Sequence, residues 1–327
     1  MTVPFSTDIY RGQGQTLAER GENLPEPVPF SSLEDPADYM ASSDLRDAVH
    51  VALALGQPLL LTGEPGTGKT RLAASLAWEL GLEYLEFHTK TASTAPDLFY
   101  HYDAMRRFQD IQIGQIRSPE EYLRLRALGK AILLTLEKQH PGRELLPEEL
   151  RGKEALRSVV LIDEIDKAPR DLPNDVLDEV ERMRFRIPEI PHLPEFRARP
   201  QLQPILILTS NSEKNLPEAF LRRCVFYHIP FPDMESLKAI VKKRFDGQHT
   251  DFSEDFLNRA LEIFLSVRKR NLRKKPATAE FLSWISLLAA GKIDPAAKDE
   301  KSRRWMKAAW SVLAKTPEDL ALLREKE

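Results

Sequence analysis

Gly63-Glu64-Pro65-Gly66-Thr67-Gly68-Lys69-Thr70 is the stretch whose residue types and spacing say most about chemistry. An apolar run, Pro58 to Thr62, precedes it, and an amphipathic run, Arg71 to Leu80, follows it and closes at Gly81. Glycines at these spacings let successive backbone N–H groups turn inward around phosphate oxygens. A helix starting near Gly68 adds partial positive charge at the same place. In such a loop the lysine, Lys69, reaches the β- and γ-phosphates of a nucleotide, and the hydroxyl of Thr70 is a ligand for Mg²⁺. Arg71 is counted with the binding stretch. A nucleoside triphosphate and Mg²⁺ are therefore the expected ligands.

A second group of residues could complete a hydrolytic site. Val159-Val160-Leu161-Ile162 is an apolar run that ends in Asp163 and Glu164. In a parallel sheet, ligands sit at the carboxyl ends of strands. Asp163 is expected to hold Mg²⁺, and Glu164, pointing to the other face, to polarise the attacking water. Asp166 and Lys167 follow as support or subunit-contact residues. Ile205 to Leu208 ends in Thr209-Ser210-Asn211, whose amide could hold the lytic water or the γ-phosphate. Arg222 and Arg223 come next. An arginine donated by a neighbouring subunit can neutralise charge on a transferring phosphoryl group, and Arg223 is the preferred candidate. The competing readings are exposed turn carboxylates, a loop-capping asparagine and surface ion pairs.

These side chains must be positioned by an α/β scaffold. A helix is expected over Asp44 to Leu55 with Ser43 as N-cap. Strands are expected at 58–62, 83–88, 158–162, 205–208 and 225–229. Helices or long crossovers separate them, which implies a parallel sheet with helices on both faces. Between the second and third strands, the aromatic run 98–102 suggests a hairpin, 119–138 reads as a helix, and 139–156 as a solvated, charged loop. Leu172 to Met183 reads as a helix with Pro173 in its first turn. The prolines from 188 to 204 mark a loop or edge hairpin. Periodicity is helical from 233 to 290, with one more helix carrying Trp305, Trp310 and Leu313. The expected domains are an extended, proline-rich arm over 1–40, a nucleotide-binding domain over 41–232 and a helical domain over 233–327.

Composition narrows the function classes. In 327 residues, 47 Lys and Arg face 50 Asp and Glu, for a net charge of −3. That balance argues against a strongly basic nucleic-acid coater. The single cysteine, Cys224, excludes a disulfide framework and a cysteine-rich zinc site. It lies in an apolar context and is expected to be inert. No apolar run approaches a membrane span, and Met1 to Gly12 has no signal-peptide pattern. A cytoplasmic location is the expectation.

Taken together, these residues resemble the AAA+ ATPases, and within them the MoxR family, over roughly 40–290. The likeness rests on the phosphate loop, on Leu161-Ile162-Asp163-Glu164-Ile165-Asp166-Lys167-Ala168, on Thr209-Ser210-Asn211 and on Leu216-Pro217-Glu218-Ala219-Phe220-Leu221-Arg222-Arg223-Cys224. It implies a P-loop αβα sandwich with a five-stranded parallel sheet of order 5-1-4-3-2, a C-terminal all-helical lid, and a homo-oligomeric ring, usually a hexamer. Asn211 would be sensor 1 and Arg223 the arginine finger. Asp166 and Lys167 replace the family's usual Asn-Arg. The lid motif, usually Ser-Pro-Arg, has its nearest counterpart in Arg273-Lys274-Lys275-Pro276-Ala277-Thr278, so sensor 2 would fall on Arg273, Lys274 or Lys275, if it is present. MoxR proteins often act with a separate von Willebrand A-type chain, and some subgroups resemble components of bacterial conflict systems.

Three functions follow in order of preference. The first is an ATP-driven ring that remodels or assembles a protein client. The second is an ATP-gated scaffold or switch with little turnover. The third is a DNA-associated loader, suggested by Arg223-Cys224. A GTPase would carry Asn-Lys-x-Asp, which is missing. Two further segments invite a role. Residues 97–112 hold Phe99, Tyr100, Tyr102, Met105, Arg106, Arg107 and Phe108, which either face a ring pore or pack on the host domain. Arg268 to Lys275 is a basic cluster that could read nucleotide, touch nucleic acid or simply be solvated. The seven histidines show no metal-ligand spacing.

Overall fold

The computed structural model describes residues 35–115, 117–169, 172–175, 177–211, 216–245, 253–296 and 299–325. Most of the expected N-terminal arm, 1–34, lies outside the described residues. The chain divides into two compact units. One runs from Tyr39 to Pro230, and the other joins the segment up to Asp38 with Phe231 onward.

The first unit is built on five strands: β1 (Leu59–Gly63), β2 (Glu83–His88), β3 (Ser158–Asp163), β4 (Ile205–Thr209) and β5 (Val225–Ile229). They pair in the order 5-1-4-3-2, all parallel, as the family resemblance implies. The three central strands are buried along their whole length, and only the edge strands β2 and β5 carry exposed residues. That is why the central strands read as continuous apolar runs. The strand period sorts their side chains into two cores. Leu60, Val160, Ile162, Leu206 and Leu208 face one side. Leu59, Leu61, Val159, Leu161, Ile205 and Ile207 face the other, under α1 (Ser43–Leu55) and α2 (Lys69–Leu80). Truncating one such leucine to alanine costs about 2–5 kcal/mol.

The helices beside the site start and stop on local signals. Ser42, not Ser43, caps α1, its hydroxyl accepting from the Leu45 N–H. Helix α2 begins directly after Gly68, whose φ of +90° suits only a residue without Cβ, and ends at Gly81 in the same left-handed region.

The expected helix over 119–138 is a composite. Leu123–Leu125 pairs antiparallel with Tyr100–Tyr102, making the aromatic run one strand of a small ribbon. Helix α3 (Ala104–Gln112) lies between these strands, and α4 (Ala127–Leu134) follows them. The ribbon register, Tyr100 opposite Leu125, holds the chain extended up to Arg126, so a helix can form only beyond it. Gly129 explains the closeness of α4, since a Cβ there would lie 2.0 Å from the Phe99 carbonyl oxygen. The segment 139–156 is not a solvated loop. Arg143 is 2% exposed. Its guanidinium donates to the Leu134 carbonyl at 2.9 Å and to the Lys153 carbonyl, closing the carboxyl end of α4. Over 172–183 there are two short helices, Leu172–Asp175 and Leu177–Arg182. The proline-rich stretch forms the edge hairpin, Arg184–Phe185 against Phe196–Arg197.

The second unit is helical: α5 (Met234–Phe245), α6 (Glu254–Lys269), α7 (Thr278–Ala290), α8 (Glu300–Leu313) and α9 (Pro317–Arg324). Its core centres on Leu237, Leu261, Phe264, Phe281, Trp284 and Trp310, with the two indoles stacked at 5.9 Å. Asp38 is tied into this unit by Arg244 at 2.9 Å. Among the described residues, no helix is long and apolar enough to cross a membrane.

Candidate functional site

The glycine loop joins the end of β1 to the start of α2, as the sequence pattern requires. Gly63 pairs with Ile229 of β5, and a Cβ at Gly63 would meet the Ile229 carbonyl oxygen at 2.6 Å. Gly66 and Gly68 take φ of +76° and +90°. The tight turn therefore depends on glycine at each of these positions. The Thr67 hydroxyl donates to the Glu64 carbonyl at 2.9 Å. Pro65 sits at the outer bend of the loop, exposed.

Lys69 is 6% exposed. Its ammonium donates to the carbonyls of Gly63 (2.9 Å) and Glu64 (3.0 Å). Burial lowers its pKa, while the negative charges of Asp163, Asp166 and Glu164 act the other way. A buried ammonium held among backbone carbonyls is a ready counter-charge for phosphate.

One hydroxyl organises the acidic side of the site. β3 and β4 pair with Ile162 opposite Leu208, which brings Asp163 beside Thr209. Thr209 Oγ1 donates to Asp163 Oδ1, and accepts from the backbone N–H of Glu164 at 2.8 Å. Thr70 Oγ1 donates to the same Asp163 oxygen at 3.0 Å. Asp163 is thus fixed from α2 and β4 together. On its other side His88 Nδ1 lies 3.4 Å from Oδ2, and His88 Nε2 lies 2.9 Å from Glu86.

Glu164 is positioned differently from the sequence expectation. The strand ends at Asp163, and Glu164 adopts a left-handed φ of +55°. Alternation along a strand therefore does not aim it. The turn does, at a backbone cost of about 1–3 kcal/mol. Its carboxylate accepts from Asn211 Nδ2 at 3.1 Å on Oε1 and from Lys167 Nζ on Oε2. The Asn211 backbone N–H donates to Asp166 Oδ1 at 3.3 Å, and Asp166 is 2% exposed. Thr70, Asp163, Thr209, Glu164, Asn211, Asp166 and Lys167 are consequently one connected hydrogen-bond chain.

Other sequence candidates lie apart from it. Arg222 pairs with Glu218 on its own short helix. Arg223 Nε bonds Glu181 at 3.1 Å, and Nη1 bonds the Ala219 carbonyl at 2.9 Å. None of these partners belongs to the glycine loop or the acidic chain. In the helical unit, Asp319 accepts from the backbone N–H groups of Arg273 (2.8 Å) and Lys274 (3.2 Å), and the side chains of Arg273, Lys274 and Lys275 are all exposed. Arg268 is buried over Phe231, its guanidinium 3.3 Å from the ring centre, so it serves the fold.

The 97–112 segment divides between its two readings. Phe99 and Tyr100 are core residues. Two charged side chains of helix α3 bond tyrosine hydroxyls, while Arg106 is exposed. Arg107 donates to the Tyr102 hydroxyl at 2.8 Å, and Asp110 accepts from the Tyr122 hydroxyl at 3.0 Å. Met105, Phe108 and Ile111 face outward, each more than half exposed.

Sequence reasoning missed Tyr39, whose ring edge lies 3.1 Å from where a Gly68 Cβ would be. Burial raises the pKa of this phenol, and the nearby charge of Arg71 lowers it. It also gave no role to Thr209, although the Thr-x-Asn spacing was the available signal.

Fold and site together define a phosphate-loop nucleotide-binding protein of the αβα class. The sequence pattern of the ATPase family associated with various cellular activities (AAA) matches residues 59–232, more than half of the chain, and the chain belongs to this family. The Holliday junction branch migration complex subunit RuvB of Nostoc punctiforme is 32% identical over 104 residues, and that of Trichormus variabilis equally so. These matches cover 30% of this chain but only 27% of the relatives' length. Among solved structures, a Thermotoga maritima RuvB variant aligns over 89% of this chain and 72% of its own, at 16% identity and a TM-score of 0.47. The FIGL-1 AAA domain aligns over 87% and 85%, at 16% identity and a TM-score of 0.44.

Proposed function

We propose that this chain is a MoxR-like ATPase that binds Mg²⁺-ATP at the glycine loop. It hydrolyses the nucleotide at subunit interfaces of a homo-oligomeric ring, a hexamer by family resemblance, and so remodels or assembles a protein client. The observation that carries the reading is the hydrogen-bond chain from Thr70 through Asp163 and Thr209 to Glu164 and Asn211.

The donor set fits Mg²⁺, which takes hard oxygen ligands and few protein ones. Thr70 Oγ1 and Asp163 Oδ1 converge to 3.0 Å, and these two residues would hold the ion. When bound, it would supply charge neutralisation on the β- and γ-phosphate oxygens. The chain's own groups do the rest. Residues 63–71 wrap the phosphates, and Lys69 neutralises them. Glu164 takes a proton from water as the water oxygen bonds the γ-phosphorus. The bond from that phosphorus to the bridging oxygen breaks, releasing ADP and phosphate. Asn211 orients Glu164 or the water. Arg223, with Arg222 beside it, acts on a neighbouring subunit's nucleotide after leaving Glu181. Arg273, Lys274 and Lys275, all exposed, are the candidates for a nucleotide sensor in the helical unit. A separate von Willebrand A-type partner, a role in a conflict system and a cytoplasmic location belong to the same proposal. The outward apolar side chains of α3 support a protein client.

The test is Mg²⁺-ATP turnover per subunit against protein concentration. Turnover should rise with concentration and be abolished in Lys69→Ala, Glu164→Gln and Arg223→Ala. Wild-type turnover in Glu164→Gln would remove the assignment of the base. Binding without turnover in any variant would favour the scaffold reading. The partial likeness to RuvB, a subunit of the Holliday junction branch migration complex, supports DNA work as the second reading. Anisotropy of a labelled four-way junction at low salt with ATP decides it, since phosphate contacts are strongest there. No binding is expected.

A further inference from the structure

We infer that Lys167 restrains Glu164, and that hydrolysis proceeds only after their contact opens. This rests on the ATPase reading above and adds a positioning residue to it. Both oxygens of Glu164 are occupied by donors of the same chain, Oε1 by Asn211 and Oε2 by the Lys167 ammonium. A general base works through an oxygen lone pair offered to water. The ammonium bonded to Oε2 takes up one such site, so that oxygen is not offered to water until the contact opens.

The geometry makes the restraint local and reversible. Lys167 and Glu164 flank a single 3-10 turn, Ile165–Lys167, which follows the left-handed Glu164. The Lys167 N–H donates to the Glu164 carbonyl at 2.9 Å, so backbone and side chain close the same loop. Both side chains are partly exposed, 41% for Lys167 and 32% for Glu164. The ion pair is therefore screened and can open at small cost. Asn211 differs. Its backbone is anchored on the buried Asp166, so its hold on Oε1 is part of the rigid site. The structure thus assigns a fixed partner to one oxygen and a releasable partner to the other.

The experiment uses the full chain and two readouts. Zero-length carbodiimide coupling, followed by peptide mass analysis, should join Lys167 to Glu164 in the nucleotide-free protein, with loss of one water. That product should fall several-fold when Mg²⁺-ATP is added. In turnover, Lys167→Met should raise the rate at saturating ATP by about three- to tenfold, with half-saturating ATP within about twofold. Lys167→Arg should stay near wild type. The double variant Glu164→Gln with Lys167→Met should be inactive, showing that the gain passes through Glu164. Lys167→Gln replaces the Met variant if that protein does not fold. A rate that falls or stays level on removing Lys167 would overturn the restraint, and so would failure of the pair to couple without nucleotide. Absence of ATP turnover in every variant, with coupling intact, would instead sink the ATPase reading.

Discussion

At the scale of single residues, Thr209 is where one substitution separates folding from chemistry. Its hydroxyl holds both Asp163 and the Glu164 backbone. Thr209→Val keeps the shape and removes that bridge. Partners of this kind are typically worth 10–100-fold in activity, so turnover should drop by about that factor with nucleotide affinity nearly kept. A drop in affinity without a drop in maximal rate would show that Thr209 serves binding instead. Cys224 is a second residue-scale case. Burial pushes its thiol up to about 12. At pH 8 the native protein should react with a thiol reagent about 10³-fold slower than a free cysteine, and at the free rate once unfolded in urea. The glycine loop, Asp163, Glu164 and Asn211 were legible because their spacing lies within short stretches of chain. Thr209 and Tyr39 were not, and Lys167 was legible only as a support or contact residue, not as the partner of Glu164. Thr209 reaches Asp163 only through the β3–β4 register, Lys167 reaches Glu164 only because the strand stops and a tight turn begins, and Tyr39 meets Gly68 across a helix and a strand.

At the scale of elements, hydrophobic pattern gave the central strands their place and misread the insertion after β2. Central parallel strands are buried on both faces, so an apolar run identifies them. The 119–138 stretch is as apolar as a helix, yet its first half is drawn into a ribbon by pairing with Tyr100–Tyr102. No local signal announces a partner twenty residues away. Helix α3 is a different case, since Arg107 and Asp110 bond two tyrosine hydroxyls while Met105, Phe108 and Ile111 face outward. Replacing Phe108 and Ile111 by serine should therefore leave the urea midpoint unchanged. Phe99→Ala, in the core, should cost about 3–5 kcal/mol. In the helical unit, Asp319 pins the 273–275 loop to α9. Burial works against its charge, but the Arg273 and Lys274 N–H groups and the Thr316 hydroxyl outweigh it, so its pKa is lowered. A lowered carboxylate contributes stability that is full above the unfolded value, about 3.9, and is lost as pH falls through the folded one. Asp319→Asn should be less stable by about 1–2 kcal/mol at pH 7. Urea titrations should show that gap closing below about pH 4, where the wild type loses the same contribution.

At the scale of the whole molecule, Arg223 poses the sharpest question. On its own chain it bonds Glu181 and the Ala219 carbonyl, and touches none of the groups gathered around Asp163. An arginine that acts on phosphate from this position must act on another copy. Exposed ion pairs are worth about 0–1 kcal/mol, so leaving Glu181 costs little. The proposed head-to-tail assembly makes this testable with two proteins that are each expected to be inactive. Lys69→Ala destroys its own nucleotide site and keeps a good arginine. Arg223→Ala keeps its site and lacks the arginine. Mixed in equal amounts and allowed to exchange, about one interface in four would join an intact site to an intact arginine. Turnover should then return to about a quarter of the wild-type rate per subunit, from two proteins that are each silent. The recovered rate should scale as the product of the two fractions and be greatest at equal mixing. If the mixture stays silent while native mass measurement shows mixed assemblies, Arg223 does not act between subunits. The 222–223 pair would then be a surface feature of the turn before β5.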